Sequence, residues 1–329
     1  MQKRALITGI YGQDGSYIAE ILKDKGYEIH GIVQENLSSN SIKIKEYLNV
    51  NNIVNFEHIV DLNDYSSLKN ILIKINPDEI YHMAAIHVSS ESGKNSINNE
   101  AQLFNKNVNA TLNILSICSE YLKNVKIVTA GSCLIFDNSK TLIQDETTVH
   151  ASSSMYGLAK ITELNLVQYF RSKGLHASTA ILYNHESSRR KDTFVTKKII
   201  KNLVAIKQNQ LESFTLGSIG ISKDWGYAKD YAYAMYLMCK QDFSKDYIIS
   251  SGKLNSINNF IELTAKYLEI KDWKKHIMIN DTIITRKIDT TLFGDCTLAK
   301  KELGWNGSST SLDEIIEIMI KNELNNSLM

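Results

Sequence analysis

The sequence predicts an α/β fold: a Rossmann-type doubly wound parallel sheet with a smaller C-terminal α/β substrate-binding part. Three observations carry this. Apolar strand-like runs alternate with amphipathic helical stretches through the first half of the 329-residue chain. Three spaced glycines, Gly9, Gly12 and Gly15, stand between the first run and the first helix. Beyond Asn184 the alternation loosens into shorter pieces, as suits a second, smaller region.

Taken in order, "ALITG" is a short apolar strand broken by Gly9. "SYIAEILKDKG" follows as a helix with Tyr17, Ile18, Ile21 and Leu22 on one face and Gly26 as its stop. "YEIHGIV" is the second strand, and "LSSNS" after it reads as a polar loop. "FEHIVDL" is a strand, "SLKNILIKI" a helix and "EIYHMAA" the fourth strand. A long helix covers about residues 100–121. The run "VTAGSCLIFD", residues 128–137, reads as a buried strand ending in small polar side chains. The helix through Tyr156 and Lys160 continues to about Lys173, and "HASTAILY" closes the series.

Composition excludes several classes. With 37 basic and 36 acidic side chains, no general affinity for nucleic acid or an anionic membrane is expected. Cys118, Cys133, Cys239 and Cys296 lack metal-ligand spacing, so reduced thiols, no metal and a cytoplasmic location are expected. No secretory leader is read before the first strand, and no apolar run approaches spanning length.

"TGIYGQDGSY" joins a strand to a helix, where glycine permits a tight turn and lets backbone N–H groups approach a pyrophosphate. Gly9, Gly12, Gln13, Asp14 and Gly15 are therefore candidate dinucleotide contacts. Glu35, twenty residues past Gly15, could accept hydrogen bonds from the adenosine ribose and would repel a 2′-phosphate, which favours NAD over NADP. A solvated loop glutamate is the alternative. Asp61 and Leu62, after the third strand, could meet the adenine edge; a helix N-cap at Asp61 or Asn63 competes with that reading.

Tyr156 and Lys160 form Y-x-x-x-K, one helical turn apart. A phenol with a pKa of about 10 is a poor base near neutrality. A nearby ammonium, and the charge of an oxidised nicotinamide, would stabilise its phenolate. That phenolate could take a proton from an alcohol while hydride leaves the same carbon, with Ser132 holding the hydroxyl. Catalytic candidates are thus Ser132, Tyr156 and Lys160.

These features resemble the extended short-chain dehydrogenase/reductases. Within them "ALITGIYGQDGSYIAE", "NHESSRRKDTFVTKKI", "LGSIGISKDWGYAKDYAYAM" and "GDCTLAKKELGW" resemble the GDP-mannose 4,6-dehydratases over nearly the whole chain. The resemblance implies a GDP-linked nucleotide-sugar substrate and a homodimer or homotetramer. It divides the chain into a dinucleotide-binding domain, 1–184 with 225–250 returning to it, and a sugar-nucleotide-binding domain, 185–224 and 251–329. It places His185 and Arg190 on the cofactor, and Ala84 and Ala85 with them. It makes Cys133, Asn184, Glu186, Thr196, Lys197, Lys223 and Arg286 candidates for the substrate.

The chain departs from that family's pattern. Dehydratases of the family carry a hydroxyl residue, one further residue and a glutamate at the strand end; here the three positions hold Ser132, Cys133 and Leu134. After oxidation at C4, loss of the C6 hydroxyl needs a base for the C5 proton, and leucine is none. Hydride transfer at C4 without dehydration, as a 4-oxidoreductase or 4-epimerase, is the expected reaction. Three alternatives stand beside it: a dehydratase with its base at Glu186 or Cys133, an epimerase using Cys133 as a thiolate, and a non-catalytic binder of cofactor or sugar nucleotide. Strand alternation would aim Cys133 away from Ser132, which favours a packed cysteine. Gln34 and Glu35 replace the family's arginines after the second strand. The run at residues 84–90 is one residue shorter than the family's, with Ile86 for a polar residue and His87 as a possible acid/base or plain loop histidine. The stripe Ile161, Leu164, Leu166 and Phe170 suits either a helical dimer interface or the subunit's own sheet.

Overall fold

Burial on both faces explains why the strand-like runs of the first half carry so few polar side chains. A computed structural model describes residues 2–87, 97–280, 282 and 291–325. In chain order the elements are β1 (Arg4–Thr8), α1 (Gln13–Asp24), β2 (Glu28–Val33), α2 (Ser39–Val50), β3 (Phe56–Ile59), α3 (Tyr65–Ile75), β4 (Glu79–His82), α4 (Ile97–Tyr121) and β5 (Lys126–Ala130). They continue as α5 (Met155–Ser172), β6 (His176–Leu182), β7 (Asn184–Glu186), α6 (Val195–Lys207), β8 (Phe214–Leu216), β9 (Ser222–Tyr227), α7 (Ala228–Met238) and β10 (Tyr247–Ile249). The last are β11 (Leu254–Ser256), α8 (Ile257–Tyr267), β12 (Ile277–Ile279), α9 (Thr297–Leu303) and α10 (Leu312–Asn325).

Seven strands form the large sheet in the order β10-β6-β5-β4-β1-β2-β3. Every pairing in it is parallel. The chain reverses its direction of growth between β1 and β4, which opens a crevice at the C-terminal strand ends. Helices α1 and α7 cover one face through Tyr17, Ile18 and Met235. Helices α3, α4 and α5 cover the other through Leu68, Ile114 and Val167. A separate core of α6, α8 and α10, around Leu203, Phe260 and Ile316, supports the small sheet β11-β9-β7. No helix of the described residues is long and apolar enough to cross a membrane.

Several expectations are corrected here. "LSSNS" is not simply a loop: Ser38 caps the N-terminus of α2 by accepting from the Ser41 N–H. Helix α3 is capped by Asp64, not by Asp61 or Asn63. The strand read through residue 137 stops at Ala130, and Cys133–Phe136 is a 3-10 turn capped by Ser132. All four turn residues are buried, so no polar position betrays the change of period. Strand β9 pairs with β7 and β11 in the small sheet, so the chain rejoins the large sheet's layers only from Ala228 onward. In the α5 stripe Leu164 is buried, and Ile161, Leu166 and Phe170 pack against cores of the same subunit.

Candidate active site

The crevice is a cavity of about 600 Å³ that runs from the glycine loop to the N-terminal turns of α5 and α6. At one end Gly12 caps α1 with no side-chain oxygen, which leaves that end open to an anion. Gly15 must be glycine: a Cβ there would lie 2.4 Å from the Gly9 carbonyl oxygen. These features fit the pyrophosphate of a dinucleotide.

The segment after β7 closes over this loop. The Gln13 amide donates to the His185 carbonyl at 3.1 Å and accepts from Ser187 Oγ at 2.8 Å. His185 Nδ1 meets the Tyr183 carbonyl at 2.7 Å and Nε2 meets Asp14 Oδ1 at 2.9 Å. Both partners can only accept, so both ring nitrogens carry hydrogen and His185 is an imidazolium. Burial opposes the charge on each partner. The pairing outweighs it, holding the Asp14 carboxyl below and the His185 ring above its ordinary pKa. Arg190 stacks 3.7 Å over Phe194 and pairs with Glu186 at 3.3 Å.

At the other end stand Ser132, Cys133, Leu134, Tyr156 and Lys160. Ser132 Oγ accepts from the Leu134 N–H at 3.2 Å, which aims the start of the turn into the cavity. Gly157 lets α5 approach it, since a Cβ there would sit 2.5 Å from the Leu134 carbonyl oxygen. Lys160 Nζ donates to the Ala130 carbonyl and to Glu163 Oε2, each at 2.9 Å, and lies 5.7 Å from the Tyr156 ring centroid. Burial raises the Tyr156 pKa, Lys160 works against that, and Glu163, Cys133 and Asp14 add to it. Because residues 133–136 turn rather than extend, strand alternation does not govern Cys133, which lines the cavity.

The remaining candidates divide. Gly12, Gln13, Asp14, Ala85, Asn184, His185, Glu186, Arg190, Thr196 and Lys223 line the cavity. Glu186 accepts from Thr196 Oγ1 at 2.5 Å, so its carboxylate is committed to Thr196 and Arg190. Lys197 is not at the cavity: its ammonium pairs with Glu323 at 2.7 Å. Glu35, Asp61 and Leu62 lie outside the lining, Glu35 exposed just beyond β2, Asp61 accepting from the Asn63 N–H and Leu62 against the α3–α4 core. Ala84 is half-buried outside the lining, its N–H donating to Thr8 Oγ1 at 3.1 Å. Arg286 and residues 88–90 are outside the described residues.

Sequence reasoning gave too little weight to four residues. His87 stands edge-on to Tyr156, ring centroids 4.6 Å apart, and stacks on Phe194 at 5.5 Å. It is carried there by Asn107 of α4, which accepts from the Ile86 N–H and donates to its carbonyl. Asn40 and Ser41, at the N-terminus of α2, line the cavity near the glycine loop. A polar helix start after a second strand is the signal that could have found them.

Comparison with known proteins gives three findings. The family model described as GDP-mannose 4,6 dehydratase matches residues 6–319. GDP-mannose 4,6 dehydratase 1 of Arabidopsis thaliana is 34% identical, over 98% of this chain and 90% of that one, and the human GDP-mannose 4,6 dehydratase is 34% identical over 96% and 90%. The fold is similar to that of the Bifidobacterium longum UDP-glucose 4-epimerase solved with NAD+ and UDP, with a TM-score of 0.81 at 17% identity, covering 98% of this chain and 99% of that one.

Proposed function

The chain belongs to the GDP-mannose 4,6-dehydratase family of nucleotide-sugar-modifying, oxidoreductase-type enzymes, and from that premise we propose that it transfers hydride at C4 of a GDP-hexose without removing water. The observation that carries this reading is Leu134. On the family resemblance it stands where dehydratases carry their glutamate, two residues after Ser132 and at the cavity wall, and Tyr156 and Lys160 line the same cavity.

The chemistry follows from the side chains. Ser132 has a hydroxyl hydrogen left to give the sugar oxygen, since its lone pair already serves the Leu134 N–H. Tyr156 takes the C4 hydroxyl proton as a phenolate and returns it as a phenol. Lys160 supplies the positive charge that favours the phenolate. The glycine loop, through Gly12, Gln13 and Asp14, would hold NAD, which would supply hydride acceptance and return. Asp14, His185 and Gln13 hold that loop to β7, and Arg190 and Lys223 offer positive charge to a diphosphate. Glu35, exposed just past β2, supports NAD over NADP because its carboxylate repels a 2′-phosphate. Assembly as a homodimer or homotetramer belongs to the same reading, supported by Leu112, Leu158 and Tyr169 exposed on α4 and α5.

General base catalysis contributes about 10²–10⁴-fold, so a dehydratase with leucine at the base position would be slowed by that order. Incubation with GDP-mannose and NAD, followed by mass and NMR analysis, tests the reading. A product of unchanged mass epimerised at C4, or a 4-keto sugar that keeps the C6 hydroxyl, is expected; loss of one water at an ordinary enzymatic rate overturns it. Two observations favour a second reading, a dehydratase with a relocated base: His87 meets Tyr156 directly, and Cys133 lines the same cavity. The same mass analysis separates the two.

A further inference from the structure

Helix α5 carries a carboxylate that this chemistry does not use. Glu163 sits three residues after Lys160, on the same helical face, and is 4% exposed. Its Oε2 accepts from Lys160 Nζ at 2.9 Å and from Thr111 Oγ1 of α4 at 3.2 Å. Thr111 in turn meets His82 Nε2 at 3.1 Å, and His82 Nδ1 meets Thr8 Oγ1 at 2.7 Å. Thr8 Oγ1 also accepts the Ala84 N–H.

The assignment that gives each hydroxyl hydrogen an acceptor runs one way along this chain. Thr8 donates to His82 Nδ1, His82 donates through Nε2 to Thr111, and Thr111 donates to Glu163. Burial, with Lys160 nearby, drives the His82 pKa down to about 3, so the ring is the neutral tautomer the chain requires. Every hydrogen therefore points at Glu163 Oε2; burial raises the pKa of this carboxyl, and the Lys160 ammonium and the two donated hydrogen bonds work against that rise to favour the carboxylate. A buried carboxylate with an ammonium and a hydroxyl both donating to it is an ion pair.

We propose that Glu163 is a positioning residue that draws the Lys160 ammonium to itself and so keeps the Tyr156 phenol protonated until a further positive charge enters the cavity. The inference rests on the assignment of Tyr156 and Lys160 as the proton-transfer pair. Lys160 Nζ lies 2.9 Å from the Glu163 carboxylate and 5.7 Å from the Tyr156 ring centroid, so the Glu163 charge offsets part of what the ammonium does for the phenolate. The other groups facing Tyr156 do not restore it: Cys133 from the 3-10 turn and Asp14 from α1 disfavour the phenolate, and Asp14 is already paired with His185. His87, from the loop after β4, presents its ring edge-on to the phenol. The oxidised nicotinamide is the cation whose arrival would release the proton, so ionisation of the phenol becomes contingent on a loaded site.

Glu163→Gln removes the charge but keeps an amide oxygen for Lys160 and Thr111. The readout is phenolate absorbance in the cofactor-free protein, isolated by subtracting the same titration with Tyr156→Phe added. The midpoint for Tyr156 is expected at lower pH in Glu163→Gln than in the unaltered protein, and the acidic limb of the single-turnover pH profile should move the same way. Glu163→Asp, which keeps the charge, should return both toward the original position. A midpoint that stays put or rises in Glu163→Gln, or an Asp variant that titrates like the Gln variant, overturns the proposal. The spectroscopic titration needs no substrate. A Tyr156→Phe protein with full turnover would instead strike at the functional reading, and the two failures are distinguishable.

Discussion

On the proposed reaction, proton and hydride chemistry meet at Tyr156, and a single hydroxyl carries the prediction. Tyr156→Phe keeps the ring that packs against His87 and removes only the oxygen. Single-turnover reduction of NAD by the sugar nucleotide should fall by about 10²–10⁴-fold with cofactor affinity unchanged, read as nicotinamide absorbance. A loss below tenfold would mean another group moves the proton. Leu134→Glu is the complementary change. Burial raises the pKa of a carboxylate placed there, which suits a base, and a product lacking one water should appear where the unaltered protein makes none. Unchanged product mass from a folded variant would show that the missing acid is not what stops the reaction at C4. Ser132, Tyr156 and Lys160 could be singled out together because a hydroxyl, a phenol and an ammonium at that spacing are rare, and the fold brings all three to one cavity; their roles belong to the proposed function. Lys197 misled because a basic run looks alike whether its members face a ligand or, as here, a glutamate 126 residues further on. Asn107 was silent because its work is two backbone hydrogen bonds to a loop in another part of the chain.

Elements with one clear period were read well, and elements buried on all sides or hardly at all were not. Helix α2 escaped notice because only Ile44 and Leu48 are buried, so its apolar stripe is too thin to show. The 3-10 turn at residues 133–136 escaped for the opposite reason, every position being buried. That turn is tied to the start of α5 by one side chain. Asp137, 2% exposed, accepts from the Ser153 N–H at 2.6 Å and from the hydroxyls of Ser153 and Ser154. Asp137→Ala leaves that N–H and two hydroxyls without their partner, which should cost about 1–3 kcal/mol of stability in urea unfolding. Because Tyr156 lies two residues beyond Ser154, kcat should fall as well, with cofactor affinity at the glycine loop retained. Equal loss of cofactor binding and turnover would instead indicate a general collapse of the cavity.

At the scale of the whole molecule, the seven-stranded sheet and the sheet β11-β9-β7 meet at a seam, and the sequence showed both sides of it without showing that they touch. "TGIYGQDG" and "NHESSRR" lie some 170 residues apart, and each was assigned to cofactor or substrate by itself. In the folded chain they bind each other through Gln13 with His185 and Ser187, through Arg189 with Ser16 and Glu20, and through Asp14 with His185. Arg189, 1% exposed and sandwiched 4.0 Å from the Tyr17 ring and 4.7 Å from the Tyr47 ring, is thus part of the seam's packing as well as its charge. The seam titrates, and its sign can be worked out. His185 has a folded pKa above its unfolded value of about 6.5, so its contribution is full below that value and is lost as pH rises through the folded one. Asp14 has a folded pKa below its unfolded value, so its contribution is present above the latter and is lost only as pH falls through the former. The pair is therefore intact in mildly acidic and neutral solution and weakens on the alkaline side, where deprotonation leaves a ring nitrogen with no hydrogen for the Tyr183 carbonyl or the Asp14 carboxylate. His185→Gln can make similar hydrogen bonds but cannot titrate. The stability advantage of the unaltered protein over this variant should be greatest near about pH 6 and shrink toward about pH 9, measured by urea unfolding without cofactor. A difference that stays flat across that range, or grows with pH, would mean that the imidazolium does not hold the glycine loop to β7.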